Sequence, residues 1–195
     1  DGVSSHYEPA GGTEEVKFDY YIDSHLNHLT QLLALLNRES VYRIIEQLKG
    51  DRTIFICGNG GSAATASHFA EDLTYWTKKG IRAISLTDNT PYMTAISNDE
   101  GYENVFVRQL EPLFKEGDIV IGISASGNSP NVVNALQYAN DHKGVSIGFL
   151  GFDGGVAKAR CQHYIQIECD DYGLVEDMHL VLVHLIAGWW RNERD

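Results

Sequence analysis

The chain is short of positive charge, of cysteine and of long apolar runs, and each shortage excludes a class of protein. It has 15 lysines and arginines against 27 aspartates and glutamates, a formal net charge of −12. This balance argues against binding to nucleic acid or to an anionic membrane surface, because both need a basic face. No apolar run approaches the roughly 20 residues of a membrane span. We therefore expect no nucleic-acid partner and no membrane partner.

The three cysteines also limit the choice of compartment. Cys57, Cys161 and Cys169 fit no zinc-site spacing, and an odd number is more typical of a reducing compartment than of a disulfide framework. Cys57 follows an apolar run, so we interpret it as a core residue. The segment Asp1–Lys17 lacks the apolar centre of a signal peptide. Together these features predict a cytoplasmic protein.

The length of 195 residues suits one domain with a substantial core. We predict a flexible arm over the polar residues 1–16 and a single domain over residues 17–195. Apolar residues recur at helical spacing from Phe18 to Leu36, and this helix is apolar enough to pack on a second subunit. Ser40 is predicted to cap a second helix, Val41 to Leu48.

Beyond these helices, short apolar runs alternate with helical patterns. Strands are predicted over Thr53–Ile56, Arg82–Leu86, Asp118–Ile123, Val145–Leu150 and Tyr164–Ile167. Helices are predicted over Ser62–Trp76, Pro91–Ser97, Val105–Phe114, Pro130–His142, Val156–Arg160 and Leu174–Arg191. The pattern indicates an α/β fold, a doubly wound parallel sheet of five strands with N-terminal helices before it. Ligands of such sheets bind at the carboxyl edge of the strands.

Two glycine- and serine-rich turns follow the first and third of these strands. The first is Cys57-Gly58-Asn59-Gly60-Gly61-Ser62, and the second is Ser124-Ala125-Ser126-Gly127-Asn128-Ser129-Pro130. If both lie at the same sheet edge, their N–H groups, hydroxyls and helix N-termini make one cradle for an anion. Neither turn contains a lysine, so a sugar phosphate suits the cradle better than a nucleoside triphosphate.

A nucleotide site was the main alternative for the first turn. Gly58-x-Gly60-x-x-Ala63 nearly matches the dinucleotide fingerprint. The acidic residue expected at the end of the following strand is missing, since Asp88 comes late, and the Walker lysine is absent. The alternative for the second turn is a well-capped helix with polar loop residues.

Two helices carry histidine with carboxylates. His68 and Asp72 are four residues apart and share one helix face. The last helix carries Glu176 and His184, two turns apart. Each pair alone suits a solvated face or a satisfied core histidine. Together the four side chains form a plausible nitrogen and oxygen set for zinc or another divalent metal, or an acid/base pair.

These motifs resemble, in order, the sugar isomerase (SIS) domain of the phosphoheptose isomerases. The resemblance extends from about Phe18 to Trp190 and rests on Gly58 to Ala63, His68 to Leu73, Asn98-Asp99, Gly122 to Val132 and Glu176 to His184. It implies a flavodoxin-like sheet, conversion of sedoheptulose 7-phosphate to a heptose 7-phosphate, and a homotetramer with active sites between subunits.

The resemblance also implies roles for matching positions. His184 corresponds to the catalytic histidine, Asp72 to the catalytic glutamate, and His68 to a zinc ligand. Glu176 corresponds to a glutamine that touches both metal and substrate. Substrate-binding positions are Asn59, Gly60, Gly61, Ser62, Asn98, Asp99, Ser124, Ala125, Ser126 and Ser129, with the serines mainly on the phosphate.

Four positions depart from the family pattern. Asp72 is one methylene shorter than glutamate, and a displacement of about 1 Å can cost about a hundredfold in rate. Glu176 adds a negative charge that should hold a cation more tightly. Ala125 removes a hydroxyl, and Trp76 replaces an arginine with a flat apolar wall suited to a sugar ring.

The sequence therefore supports a ketose/aldose isomerase that acts on sedoheptulose 7-phosphate or a close relative. A base removes a proton beside the carbonyl, an enediol forms, and an acid returns a proton to the neighbouring carbon. His184 and Asp72 form the acid/base pair, with either in either role. The alternatives are a non-catalytic phosphosugar-binding or protein-interaction module, and a different reaction through the same enediolate.

Overall fold

The structure, a computed structural model, describes residues 12–77 and 80–192. Its strands are β1 (Ile54–Gly58), β2 (Ala83–Ser85), β3 (Ile119–Ser124), β4 (Val145–Gly151) and β5 (His163–Ile167). Its helices are α1 (Glu14–Leu35), α2 (Arg38–Gln47), α3 (Gly61–Glu71), α4 (Thr90–Asp99), α5 (Val107–Leu110), α6 (Pro130–Asp141), α7 (Gly155–Lys158) and α8 (Tyr172–Asn192). One π turn, Asp72–Trp76, continues α3, and one 3-10 turn spans Tyr102–Asn104.

The strands form one parallel sheet in the order β2-β1-β3-β4-β5. Strand β1 lies between β2 and β3, and the chain crosses it on the way from β2 to β3, so the direction of winding reverses there. Gly58 at the end of β1 lies in register with Ile123 of β3. The turns that follow these two strands are therefore neighbours at the switch point, where open α/β sheets bind ligands.

Alternate residues of each strand pack into two separate cores. Ile54 and Ile56 of β1 join the core shared with α1, α2, α3 and α8. Phe55 and Cys57 point to the other face, where α5, α6 and α7 cover the sheet. The strands read as continuous apolar runs because both faces are buried. The predicted doubly wound sheet of five parallel strands, with helices before it, is confirmed.

Several predicted boundaries were wrong. Asn37 caps α2, accepting a hydrogen bond from the Ser40 amide at 3.0 Å, so Ser40 lies inside the helix rather than at its cap. The helix predicted over Val105–Phe114 is reduced to the four residues of α5. Residues 1–11 of the predicted arm lie outside the described residues, while 14–16 belong to α1. Thr13 caps that helix, which begins three residues earlier than the predicted domain.

Among residues 12–77 and 80–192, no helix is both long enough and apolar enough to cross a membrane.

Candidate active site

The conformation of the first turn depends on Gly60 and on hydrogen bonds between the side-chain amides of Asn59 and Asn131. Gly60 has φ +57°, in the region that favours glycine, and α3 begins at the next residue. Asn59 donates to Asn131 Oδ1 at 2.9 Å and accepts from Asn131 Nδ2 at 2.9 Å. The hydroxyl of Tyr102 donates to Asn59 Oδ1 at 2.8 Å. The Asn59 side chain is thereby held between the start of α6 and the 3-10 turn.

The second turn folds partly on itself. The buried Ser124 hydroxyl accepts from the Gly127 amide at 3.1 Å, and the half-buried Ser126 hydroxyl accepts from the Asn128 amide at 3.3 Å. Ser129 stands at the N-cap of α6, but its hydroxyl makes no capping hydrogen bond. Ser126 and Ser129 are therefore the partly exposed hydroxyls of this turn.

Glu176 lies against the first turn rather than free in solvent. A Cβ placed on Gly61 would lie 2.2 Å from Glu176 Oε2, so the carboxylate occupies the space that glycine leaves open. Gly61 begins α3, whose N-terminus carries partial positive charge that favours an anion. A carboxylate therefore already faces this helix end, whereas the sequence of the second turn, at the N-terminus of α6, contains no carboxylate.

Deeper along α3 and α8, two imidazoles meet over a carboxylate. His68 Nε2 lies 2.9 Å from His184 Nε2. Asp72 Oδ2 lies 3.7 Å from His68 Nε2 and 4.0 Å from His184 Nε2. Asp72 is 7% exposed, whereas both histidines are open to solvent. The ligand atoms of these three residues all lie within 4.8 Å of one another.

The backbone changes at the shorter carboxylate. The α-helix becomes a π turn at Asp72, the position where the family pattern has the longer glutamate. Here the π turn forms the C-terminal end of α3, and π turns in helices occur frequently at functional sites. The predicted uninterrupted helix Ser62–Trp76 was wrong at this point.

The histidine pair fits a cation. If one ring is protonated at Nε2 and the other at Nδ1, the 2.9 Å contact is a hydrogen bond; if both Nε2 atoms are unprotonated, their lone pairs face the same space, which a cation can occupy. Two imidazole nitrogens and one carboxylate oxygen are a donor set that zinc accepts. Glu176, the fourth predicted ligand, lies outside the group of three and against Gly61.

An open pocket of about 400 Å³ extends from this cluster along α8. Trp76 and Gly188 form part of its wall. The other lining residues are His68, Asp72, His184, Ala187 and Arg191. The contacts Gly61 to Glu176, His68 to His184 and Trp76 to Arg191 follow one another along both helices, so α3 with its π turn and α8 run side by side in the same direction.

The remaining predicted residues have less specific surroundings. Asn98 and Asp99 are exposed at the end of α4, where the Asn98 amide donates to Asp99 Oδ1 at 2.7 Å. Ala125 is buried, and so is Ser62 in the first turn of α3. Sequence reasoning assigned no role to Tyr102 or Arg191. Asn131 could have been noticed in the sequence, because it follows the proline that begins α6.

The sequence matches the SIS domain family over residues 21–151. The phosphoheptose isomerase of Aliarcobacter butzleri (strain RM4018) is 45% identical over 152 residues, 76% of this chain and 80% of that protein. The phosphoheptose isomerase of Helicobacter hepaticus (strain ATCC 51449 / 3B1) is 39% identical over 176 residues, 89% of each.

Comparison of structures gives the same family. The phosphoheptose isomerase GmhA of Neisseria gonorrhoeae superposes with a TM-score of 0.85 and 30% sequence identity, covering 93% of this chain and 100% of that chain. The likeness thus extends over most of the fold described above. The chain belongs to the SIS domain family and, within it, to the phosphoheptose isomerases.

Proposed function

We propose that this protein is a ketose/aldose isomerase whose substrate is sedoheptulose 7-phosphate or a close relative. The observation that carries the proposal is the convergence of His68, Asp72 and His184 beside two anion-accepting turns. An isomerase needs an acid/base pair at one end of its substrate and an anchor for the phosphate at the other. Relatives 39–45% identical over most of the chain are named phosphoheptose isomerases, which supports the same substrate here.

The second turn is the proposed phosphate site. Ser126 and Ser129 expose hydroxyls at the start of α6, and the helix N-terminus favours an anion. Ser124 supports the turn through its bond with Gly127 rather than reaching the ligand first. Asn59, held by Asn131 and Tyr102, offers its amide to the sugar hydroxyls.

His184 and Asp72 carry the proton transfer. One removes the proton from the carbon beside the carbonyl, and the electron pair left behind forms the double bond of a cis-enediol(ate). The other group protonates the former carbonyl carbon while the hydroxyl proton passes from the first oxygen to the former carbonyl oxygen, so the ketose becomes an aldose with no net gain or loss of atoms. Asp72 is buried and fixed on the π turn, whereas His184 is open to the pocket where the sugar lies.

A divalent metal, zinc by preference, is proposed at the same cluster. His68, Asp72 and His184 would hold it, and Glu176 would join after leaving its position against Gly61. When bound, the metal supplies Lewis acidity toward the sugar's carbonyl and hydroxyl oxygens. A side chain that ligates a metal through its proton-accepting atom is less free as a base, so the ligand role and the proton-transfer role of Asp72 and of His184 need not hold at the same time.

We further propose a homotetramer with active sites between subunits. Helix α1 supports this proposal, since Phe18, Tyr21, Leu26 and Leu35 are each more than half exposed on it. An apolar face of this kind is typical of a surface that another subunit covers. A cytoplasmic location agrees with the three free cysteines, which persist where thiols stay reduced.

The experiment is direct product analysis. Purified protein is incubated with sedoheptulose 7-phosphate and with other ketose phosphates of five to seven carbons, and aldose phosphates are identified by NMR. We expect an aldose heptose 7-phosphate, and we expect Asp72→Ala to abolish its formation while sugar binding persists. A protein that binds the sugars and converts none of them is a phosphosugar-binding module instead.

A further inference from the structure

Position 76 lacks the arginine expected of the family, but an arginine reaches the same place from another helix. The guanidinium carbon of Arg191, in the last turn of α8, lies 5.7 Å from the centre of the Trp76 ring. This is within the distance at which a cation is attracted to an aromatic face. The Trp76 indole therefore makes a cation–π contact with the guanidinium of Arg191, which extends from α8.

The pair of Trp76 and Arg191 lies in the wall of the pocket that contains the acid/base cluster. Trp76 is 48% exposed, and both Trp76 and Arg191 line that pocket with His184. Gly188, one turn before Arg191, has no atom within 4 Å of an added Cβ. Glycine is less favourable than alanine inside a helix. No described residue packs against Gly188, so this glycine keeps space open beside the Arg191 guanidinium.

The order of contacts along α3 and α8 places this pair beyond the cluster. Glu176 lies at the level of Gly61, His184 at the level of His68, and Arg191 at the level of Trp76. At a rise of 1.5 Å per residue, adjacent levels are separated by about 10 to 12 Å. A sugar phosphate anchored at the second turn, with its carbonyl end at the level of the histidines, would face the level of Trp76 and Arg191.

We propose that Arg191, seated on Trp76, is a specificity-determining residue that binds the carbonyl end of the sugar phosphate. The inference rests on the proposed isomerase function. Besides Arg191, the ionisable groups that line the pocket are His68, His184 and the Asp72 carboxylate, and oxygen atoms at the carbonyl end gain negative charge as the enediolate forms. A guanidinium keeps its charge at any working pH and has several donors for hydroxyl or enediolate oxygens. Arg191 thus supplies the positive charge that the family pattern places at position 76, where this chain has Trp76.

The test is a charge-relocation experiment in the full-length chain. Arg191→Gln should lower kcat/KM for the sugar phosphate at least tenfold, with the melting temperature and oligomeric state unchanged. Trp76→Arg combined with Arg191→Gln should recover most of that loss, because the cation returns at position 76. Arg43→Gln is the matched control, since Arg43 is an exposed arginine paired with Glu39 on α2, away from the pocket.

Binding of sedoheptulose 7-phosphate, measured by titration calorimetry, separates this inference from the proposed function. If the wild-type protein binds the sugar without turnover, the isomerase assignment fails, and a tenfold weaker Kd in Arg191→Gln still supports Arg191 as a ligand-binding residue. If Arg191→Gln matches Arg43→Gln in kcat/KM and Kd, the inference is overturned. It is also overturned if Arg191→Gln lowers the melting temperature or dissociates the oligomer, because the arginine is then structural.

Discussion

Asn59 and Asn131 exchange two side-chain hydrogen bonds of 2.9 Å across the switch point of the sheet. The pair connects the turn after β1 to the start of α6, and it leaves the Asn59 Oδ1 atom in position to accept from Tyr102 as well. Asn131 is 1% exposed, so its amide has no access to bulk water as an alternative partner. This relationship fixes the relative position of the two turns that form the proposed substrate site.

Replacing Asn131 with aspartate should weaken substrate binding. The carboxylate cannot donate to Asn59 Oδ1, and a buried charge is left with two donors, Asn59 Nδ2 and the Val132 amide, which destabilises the fold by about 1 to 3 kcal/mol. We expect a higher KM for the sugar phosphate and a lower melting temperature. Asn134→Asp is the matched control, because Asn134 lies one turn later on α6 and donates to the Glu103 carbonyl at 3.1 Å nearer the surface. Equal effects of the two changes would contradict the proposed role of the pair.

The close approach of Gly61 and Glu176 predicts a specific double-mutant result. Gly61→Ala would put a methyl group onto the Glu176 carboxylate and force it away from the turn. We expect a loss of kcat/KM of at least tenfold. In a Glu176→Gly background the same change should have little further effect, because the collision is gone. Steady-state kinetics of the four proteins give the coupling, and additive losses would show that Gly61 acts through something other than Glu176.

Lengthening Asp72 should improve the site. Its carboxylate oxygen lies 3.7 Å from His68 Nε2 and 4.0 Å from His184 Nε2, beyond hydrogen-bond reach. Asp72→Glu extends the side chain by a bond of about 1.5 Å. We expect kcat/KM to rise at least tenfold and zinc affinity, measured by competition with a chelator, to rise as well. Asp72→Asn keeps the size of the side chain and removes its charge, and we expect it to lower both kcat/KM and zinc affinity. A glutamate variant slower than the wild type would show that the π turn already compensates for the shorter side chain.

His179 makes the fold sensitive to acid. It is fully buried on α8, and neither ring nitrogen has a hydrogen-bond partner among the residues that the structure describes, so burial lowers the pKa of His179 to about 4. A backbone contact with Leu150 opposes this shift without meeting hydrogen-bond geometry. As pH falls from about 6.5 to 4, the unfolded chain takes up a proton that the folded chain does not. The free energy of unfolding should therefore fall by up to about 3 kcal/mol in that window.

Denaturant unfolding between pH 4 and pH 7 measures this dependence. His179→Leu removes the titrating group from the core, so its stability should fall less steeply with acid than that of the wild type. His142→Leu makes the same change at an exposed histidine and controls for the added hydrophobic side chain. Parallel pH profiles for the wild type and His179→Leu would contradict the assignment.

The sheet was predictable because its strands are short, apolar and separated by helical patterns. Ile54 to Cys57 and Ile119 to Ile123 are buried on both faces, and this leaves a signal that a single sequence can carry. Helix ends were less predictable. Ser40 and Asn37 are both good capping residues, and the choice between them depends on how α1 ends at Leu35 rather than on local preference.

The site was predictable where its residues recur at fixed spacing. His68 and Asp72 share a helix face by simple arithmetic, and a second histidine-bearing helix suggested a common site. The contacts of Asn59 with Asn131 and of Trp76 with Arg191 join residues far apart in sequence, so no local pattern contains them. The π turn at Asp72 could not be predicted from the sequence either, because its residues have ordinary helical preferences.

Proton exchange in D2O tests the central claim most directly. The protein is incubated with sedoheptulose 7-phosphate, with and without zinc and chelator, and deuterium at each sugar carbon is followed by NMR. The account predicts deuterium on the carbon beside the carbonyl together with an aldose heptose 7-phosphate, both lost in Asp72→Ala. Binding of the sugar without any exchange would contradict enediol chemistry at the cluster of His68, Asp72 and His184.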